Sequence, residues 1–472
     1  MSLVNIVILS GIALLTGLIN DPRWRKYLIL SLSVFVLYYF QPALSIRYLG
    51  FWLPTVTLAI TLLSWILTSR SEDHTWKDFW KPGVIILGAI LLFSASRYIS
   101  LISFITSYQP PLINQVVIAV LLILLVIFIT TKLPRSIDSY WIFFLIVVFI
   151  VIKTPYLAKS LSYFLRSINR QSTELSSSFD IAWLGYSYIA FRIIHTIRDR
   201  QAGKLPVVDL VDYINYVIFF PTLTAGPIDR LDHYVSSIVS PLKDRFEVIG
   251  VGGKRIIVGL FKKFVIADTL AIIALNSTNA LQIRWTGWMW ICLYAYAFQI
   301  FFDFSGYTDI AIGMGRLLGF KLPENFSSPY LKPNLTQFWN NWHMTLTQWF
   351  RAYFFNPLTR SLRSGKRKWA IPVIIFVTQI STMILIGLWH GVTWNFILWG
   401  GWHGLGLFVH NRWSNFFNNR VQNWATTSIK KFIVNGSGIL ITFNFVAIGW
   451  VFFILPNPWM AWQVLQKLFG GV

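Results

Sequence analysis

The chain alternates long apolar stretches with short polar ones, and this pattern predicts its architecture. Each of the first six stretches approaches the roughly 20 residues that a helix needs to cross a bilayer. Later stretches are less regular, and segments too short or too polar to span are tolerated at membrane depth only when buried in protein. The apolar stretches are residues 3–19, 27–42, 49–68, 83–106, 113–131, 139–157, 181–198, 211–223, 254–276, 286–304, 335–358, 371–390, 394–410 and 433–455.

We therefore predict an all-α polytopic membrane protein with about 10–12 transmembrane helices plus re-entrant or interfacial helices. We expect a single transmembrane domain over residues 1–472, in which residues 1–157 form a wall of helices. Polar Gly- and Pro-containing motifs interrupt residues 181–410, and such breaks usually line a cavity. Residues 411–472 add C-terminal helices. The functional site is expected in the interrupted region.

The loop charges predict the orientation of the first helices. Basic loops face the cytoplasm in most membrane proteins. Loops at 20–26, 69–82 and 132–138 carry Arg23, Arg25, Lys26, Arg70, Lys77, Lys81, Lys132 and Arg135, whereas the intervening loops carry only Arg47. This places the N-terminus outside the cell membrane. The next loop, 158–180, should then be outside yet holds three basic residues, which favours a surface amphipathic segment there.

Composition supports the membrane assignment and excludes other classes. The chain is 55% hydrophobic and 12% charged, about half the charged fraction of soluble domains. The net charge of +22 fits basic loops on anionic lipid rather than nucleic-acid binding, because no basic soluble domain is present. The lone Cys292 excludes a cysteine-based metal site. We expect a lipid partner, no nucleic acid and no metal.

Two histidines lie within apolar, tryptophan-rich sequence. His343 belongs to Trp339-Asn-Asn-Trp-His-Met-Thr, and His390 belongs to Gly387-Leu-Trp-His-Gly. A side chain that exchanges a proton near neutral pH is costly to bury in a membrane and is useful for catalysis there. Both are candidate catalytic residues, although a histidine satisfied within a helix bundle is the alternative for each.

The surroundings of His343 predict a helix from Leu335 to Phe355. Helical spacing would place Trp339 and His343 on one face. Asn340 would lie one turn away and could orient the imidazole ring. We expect Asn340, Trp339 and Trp389 to contact substrate.

His390 ends one apolar run, and Thr393 is placed to cap the helix that follows. If a helix begins there, its positive end would favour a neutral ring that can accept a proton. His403 lies thirteen residues further on, which in a continuous helix would put it on the opposite face. A structural role is therefore predicted for His403, and also for His195, His233 and His410.

Two acidic residues flank a glycine-containing break. Asp303 and Asp309 stand on either side of Gly306. Asp309 and Arg316 are seven residues apart on one predicted helix face and could neutralise each other. A structural ion pair is favoured over a catalytic role.

Five motifs in order resemble the membrane-bound O-acyltransferases. They occupy residues 219–228, 259–268, 302–313, 338–351 and 387–394. The chain is most similar to the bacterial branch that includes the alginate O-acetylation protein and the teichoic-acid D-alanyl transfer protein. The resemblance covers residues 181–410, which it identifies as the acyltransferase core.

The resemblance implies a ring of helices around a thinned central pore that holds both histidines. It makes His390 the essential histidine and His343 its partner. The chain departs from the family at Asn341, where a basic residue is common, and at Ala352, where an aspartate often follows the arginine. The missing carboxylate puts the tuning of His343 in question.

We accordingly predict an O-acyltransferase of the cell (inner) membrane that moves an acyl group, acetyl first, from a cytoplasmic thioester. The donor is acetyl-CoA or an acyl carrier protein, used as a cosubstrate without a bound cofactor. The acceptor is an extracytoplasmic polysaccharide or cell-wall polymer, reached directly or through a partner acyltransferase. The alternatives are D-alanyl transfer to a teichoic-acid-like polymer, a transporter or channel built on Asp303, Asp309 and Arg97, and an inactive scaffold subunit.

Overall fold

The computed structural model describes residues 2–69, 76–132, 137–205, 208–239, 245–365 and 368–471. Helices account for 77% of the structure, and no strand occurs within these ranges. The all-α prediction is confirmed. Of the basic residues used to predict orientation, Arg70 and Arg135 lie outside the described residues.

The described chain forms two compact units. Unit 1 comprises Met1–Ile256 and Ala311–Leu322, and unit 2 comprises Ile257–Ile310 and Pro323–Val472. The single transmembrane domain, with a wall ending at residue 157 and a core beginning at residue 181, stays a prediction. The ring arrangement stays a prediction.

Unit 1 contains the N-terminal helices, many of them apolar. They are α1 (Leu3–Gly17), α2 (Pro22–Tyr39), α3 (Leu49–Thr68), α4 (Trp76–Ala95), α5 (Ile113–Thr130), α6 (Ile137–Lys153), α7 (Pro155–Ile168), α8 (Tyr186–Gln201), α9 (Leu210–Val217), α10 (Leu231–Val239) and most of α11 (Arg245–Leu260).

Unit 2 contains the longest helices and two π-helical segments, Phe261–Ala267 and Arg351–Phe355. The π-helix is rare and often marks functional sites. The α-helices are α12 (Asp268–Ala271), α13 (Asn279–Gln282), α14 (Thr286–Leu317, mostly in this unit), α15 (Leu335–Asn341), α16 (Met344–Phe350), α17 (Asn356–Ser364), α18 (Ile371–His390), α19 (Trp394–Trp424), α20 (Ser428–Ile454) and α21 (Pro458–Leu468).

Four helices in the described ranges are long and apolar enough to cross a membrane, namely α3, α5, α18 and α20. The bent pair α6 and α7 would make a fifth span. Other apolar helices, such as α1, are shorter. The total of 10–12 transmembrane helices stays a prediction.

The basic loop after α6 is an amphipathic helix, as its charges suggested. α7 turns by 93° from α6 and directs its polar face inward. Ser162 donates a hydrogen bond of 2.6 Å to Asp180, and Arg166 donates one of 2.8 Å to the same carboxylate. Tyr156 and Phe164 on the opposite face are exposed. A turned helix with an exposed aromatic face suits a position at the membrane surface.

The motif at residues 219–228 is held by a buried arginine in unit 1. Arg192 on α8 donates hydrogen bonds to the carbonyl oxygens of Val217 (2.8 Å) and Thr222 (2.9 Å). These bonds satisfy backbone groups that the irregular segment would otherwise leave unpaired. His195 contacts the Tyr216 hydroxyl at 3.1 Å. The motif at residues 219–228 is therefore part of a buried hydrogen-bonded structure in unit 1.

Helices α18 and α19 form an antiparallel hairpin that depends on glycine. A Cβ atom on Gly400 would lie 2.5 Å from the carbonyl oxygen of Met383, and one on Gly404 would lie 2.9 Å from the Cα of Ile380. Gly387 similarly faces the backbone of Phe396. Because larger residues would force these backbones apart, the glycines allow the close contact that positions the end of α18.

Replacing Gly400 with alanine should lower the thermal stability of the detergent-solubilised protein. The added methyl group would meet backbone atoms, and such overpacking costs about 1–3 kcal/mol. Gly401→Ala is the matched control, since a Cβ atom there meets nothing within 4 Å. Thermal unfolding of the two variants should differ clearly. Equal melting temperatures would show that the hairpin does not need a glycine at position 400.

Candidate functional site

The segment around His343 is not the continuous helix that the spacing predicted. α15 ends at Asn341, Trp342 is extended, and α16 begins at Met344. His343 itself has φ 42° and ψ 55°, in the left-handed region. Bulky residues rarely adopt this conformation, and it persists only where surrounding structure enforces it. Because the helix is broken at Trp342 and His343, helical spacing does not predict which side chains in residues 335–355 lie on one face.

Asn325 enforces the break at His343. Its side chain is fully buried, and its Oδ1 atom accepts hydrogen bonds from the Thr345 backbone N–H (3.2 Å) and hydroxyl (2.9 Å). The same oxygen lies 3.1 Å from Nδ1 of His343. The backbone oxygen of Asn325 accepts a further bond of 2.9 Å from Met344. One asparagine thus fixes both the chain direction and the imidazole orientation.

These contacts assign the tautomer of a neutral His343. The Thr345 N–H can only donate, so the asparagine atom facing it is the oxygen. The Nδ1 atom of His343 therefore carries the proton that it donates to that oxygen. Its Nε2 atom, which is buried and has no hydrogen-bond partner among the described residues, presents a lone pair.

Trp389 brings the two predicted histidines together. Its ring centroid is 5.9 Å from that of His343 and 4.6 Å from that of His390. His343 is buried, with 2% of its surface exposed, whereas His390 is half-buried. Two histidines 47 positions apart in sequence therefore both contact one indole ring, and their functional pairing stays a prediction.

His390 is the last residue of α18, and α19 starts at Trp394 with Thr393 in the N-cap position. The predicted helix start is confirmed, although the Thr393 side chain makes no capping hydrogen bond. The C-terminal end of α18 is partially negative and favours a protonated His390 ring, whereas the N-terminal end of α19 is partially positive and favours a neutral one. The helix start alone therefore does not decide the protonation state of His390.

His403 lies closer to the site than the sequence suggested. The chain turns between His390 and α19, so the two histidines are on different helices and the argument from one continuous helix was wrong. Both rings pack on Trp399, with centroid distances of 5.6 Å from His390 and 5.0 Å from His403. His403 is fully buried, and neither ring nitrogen has a hydrogen-bond partner among the described residues.

The three residues predicted to contact substrate have different surroundings. Trp389 lies between the histidines, as described above. Trp339 is buried against Trp399 (5.7 Å between centroids) and His403 (5.2 Å). Asn340 is exposed, and its Oδ1 atom accepts a 2.6 Å hydrogen bond from Arg351. The predicted orientation of the His343 ring by Asn340 was wrong, because Asn325 makes that contact.

Within unit 2, the motif at 259–268 packs against residues 302–310 of the next motif. A Cβ atom on Gly259 would lie 2.6 Å from the carbonyl oxygen of Gly306, so the two backbones meet directly. Lys262 forms an ion pair of 2.7 Å with Asp309, and Lys263 pairs with Asp303. A structural ion pair was predicted for Asp309 with Arg316, and Lys262 provides an ion pair for Asp309 in the structure.

Within the described ranges, no group of three or more His, Cys, Asp or Glu side chains is placed to hold a metal ion. The site instead consists of imidazole rings surrounded by indole and phenyl rings. Phe304 lies 4.8 Å from His343, and Phe453 lies 4.8 Å from His390. Such a site offers proton acceptors in an environment that limits water.

Comparison with known proteins shows a family match that includes the region of His343 and His390. The model of the MBOAT, membrane-bound O-acyltransferase family matches residues 24–455. The chain belongs to this family. The match extends well beyond the five motifs and includes most of the N-terminal helices, which resembled the family in hydropathy alone.

Curated relatives of this membrane-bound O-acyltransferase are named for several acceptors. A "probable alginate O-acetylase" of Pseudomonas aeruginosa is 34% identical over 61% of this chain and 51% of its own length. A peptidoglycan O-acetyltransferase of Helicobacter pylori is 37% identical over 61% of the chain and 55% of its own length. A teichoic acid D-alanyltransferase of Streptococcus thermophilus is 32% identical over 57% and 68%. The chain thus spans about half the length of the first two.

Three residues close to the candidate histidines were missed by sequence reasoning. His403 was given a structural role on the assumption of one continuous helix, and no role was predicted for Trp399, although the Gly391 break signalled the turn. Asn325 lies in a polar segment, Pro323-Glu-Asn-Phe-Ser-Ser-Pro329, set between apolar stretches. That interruption was the available signal for it.

Replacing Asn325 with alanine should destabilise the protein and release the His343 ring. Buried donors left without an acceptor cost about 1–3 kcal/mol each. Asn340→Ala is the control, because that side chain is exposed and bonds only Arg351 among the contacts described here. Thermal unfolding in detergent should separate the two variants. A melting temperature for Asn325→Ala equal to that of Asn340→Ala would contradict the role assigned to Asn325.

Proposed function

We propose that this protein transfers an acyl group, acetyl first, from a cytoplasmic thioester towards a hydroxyl of an extracytoplasmic polysaccharide or cell-wall polymer. The main support is that His343 and His390 share Trp389 in a chain that belongs to the membrane-bound O-acyltransferases. The inner membrane is the proposed location, since donor and acceptor then lie on opposite sides. Acetyl-CoA or an acyl carrier protein would supply the acyl group.

His390 is the proposed general base. Its half-buried ring can receive the proton of the acceptor hydroxyl as the oxygen attacks the thioester carbonyl carbon. The carbon–sulfur bond then breaks, and the proton passes to the departing thiolate. The rings of Trp389, Trp399 and Phe453 around His390 limit access of water, which would otherwise hydrolyse the thioester.

His343 is proposed to orient the acyl donor. A neutral ring that donates from Nδ1 to Asn325 has only a lone pair at Nε2, so it can accept a hydrogen bond but cannot donate one to an oxyanion. This favours orientation of the donor over stabilisation of the oxyanion as the role of His343. The indole N–H of Trp399, buried and without a partner among the described residues, is a better candidate for the oxyanion.

Two variants of this reaction are compatible with the site, and they differ in the acyl group or in the protein that completes the transfer. The named relatives include O-acetylating proteins and a D-alanyltransferase, so D-alanyl transfer to a teichoic-acid-like polymer is the second candidate. The acyl group could also pass to a partner acyltransferase before it reaches the glycan. Mild alkaline release of surface esters, with the acid identified, distinguishes acetate from D-alanine.

The rival functions make different demands on the same residues. A transporter or channel needs Asp303 and Asp309 as an ion path, but both carboxylates are paired with lysines. An inactive scaffold subunit would not require His390. Dependence of ester formation on His390 therefore separates acyl transfer from both rivals.

Replacing His390 with alanine should abolish ester formation on the surface polymer, because general-base catalysis contributes about 10²–10⁴-fold in rate. Complementation of a deletion strain, followed by alkaline ester release, measures the effect. His233→Ala is the matched control, since His233 is part-exposed and pairs with Asp229 in unit 1. Wild-type ester levels with His390→Ala, at equal membrane abundance, would refute the proposed base.

Replacing His343 with asparagine should weaken use of the donor more than it destabilises the protein. Asparagine tolerates the left-handed backbone at this position, so the fold should persist. We expect a higher KM for the thioester at near-normal melting temperature, measured with purified protein. An unchanged KM accompanied by a loss of kcat of about 10²-fold or more would instead indicate a role in the transition state.

A further inference from the structure

A cavity in unit 2 lies between α19 and α20. It has a volume of about 910 Å³, within the range of ligand pockets. Its lining includes Trp402 and Phe445, whose rings stack 4.5 Å apart, and Gly406. Gly406 packs closely against the side chains of Phe445 and Leu335. Apolar side chains such as Leu405 and Ile441 line the walls.

One end of this groove is polar and positively charged. His410, Ser414, Lys431 and Asn435 line it near the turn that joins the two helices. Lys431 has no ion-pair partner among the described residues. No Asp or Glu occurs in residues 325–472, so this part of the chain cannot neutralise the lysine itself. The groove therefore combines an apolar channel with an uncompensated cation.

The length of the groove suits an extended hydrocarbon chain. Lys431 and Phe445 lie fourteen residues apart on α20, which corresponds to about 21 Å of helix. Lys430 and Lys431 also occupy the first turn of α20, where the helix dipole disfavours cations and favours an anion. A ligand with an anionic head and a long apolar tail would match both ends.

The basic residues near the charged end of the groove predict that this end lies beside anionic lipid. Because α18 and α19 are antiparallel, the start of α18 and the end of α19 share one end of unit 2. Arg360, Arg363 and Lys368 precede α18, and Arg412 and Arg420 lie in the C-terminal half of α19. Such basic clusters face the cytoplasmic leaflet, which holds anionic phospholipid.

We propose that this groove is a binding site for an anionic phospholipid, with the phosphate at Lys431 and one acyl chain directed towards Trp402 and Phe445. This lipid site is separate from the site around His343 and His390, and the proposal does not depend on the proposed acyl transfer. A bound lipid would fill space between α19 and α20, and would thereby support the helix that carries Trp399 and His403.

The test is native mass spectrometry of the purified full chain with an equimolar mixture of phosphatidylglycerol and phosphatidylcholine of identical acyl chains. The wild type should retain phosphatidylglycerol about fivefold or more over phosphatidylcholine, and Lys431→Gln should remove about fivefold of that preference. Lys368→Gln is the control for charge, since Lys368 does not line the groove. Equal retention of the two lipids by the wild type, or equal effects of the two substitutions, would overturn the proposal.

A second pair of variants tests the apolar channel. Ser437→Phe places a ring in the groove wall without changing charge, and should reduce retention of both lipids. Ile433→Phe adds a ring on the adjacent turn outside the groove and should retain lipid as the wild type does. Melting temperatures show whether each variant is folded. Unchanged lipid retention in folded Ser437→Phe would place the lipid elsewhere.

Discussion

The hydrogen bonds of Asn325 to His343 and Thr345 are the contacts on which the candidate site depends. They hold His343 in a left-handed backbone conformation that a non-glycine residue adopts only under constraint. They also fix which ring nitrogen carries the proton. Without them, α15 and α16 could join as one helix, and the imidazole would lose both its direction and its tautomer.

A second constraint is the close contact between α18 and α19. Glycines at the interface let the two backbones meet, so the end of α18 is held against the helix that follows. Trp399 then contacts His390 and His403, while Trp389 contacts His343. The site is thus assembled by a helix break and a helix hairpin. The aromatic rings that surround its histidines are stiff and exclude water.

Sequence reasoning located most of the helices and both central histidines, because apolar length and polar interruptions report directly on membrane helices. It failed where tertiary contacts override local pattern. Helical spacing through residues 335–355 could not reveal a break enforced by Asn325. A thirteen-residue separation could not place His403, because the turn after His390 makes helical rotation irrelevant. The Lys262–Asp309 pair joins residues 47 positions apart, which spacing rules for one helix cannot detect.

The most direct test of the central claim is transfer by the purified protein in proteoliposomes supplied with a radiolabelled acetyl thioester and acceptor polysaccharide. The account predicts label in an alkali-labile ester on the polysaccharide, formed by the wild type and lost when His390 is replaced. The account would be contradicted if the wild type formed no labelled ester and if wild type and the His390 variant consumed the thioester at the same rate.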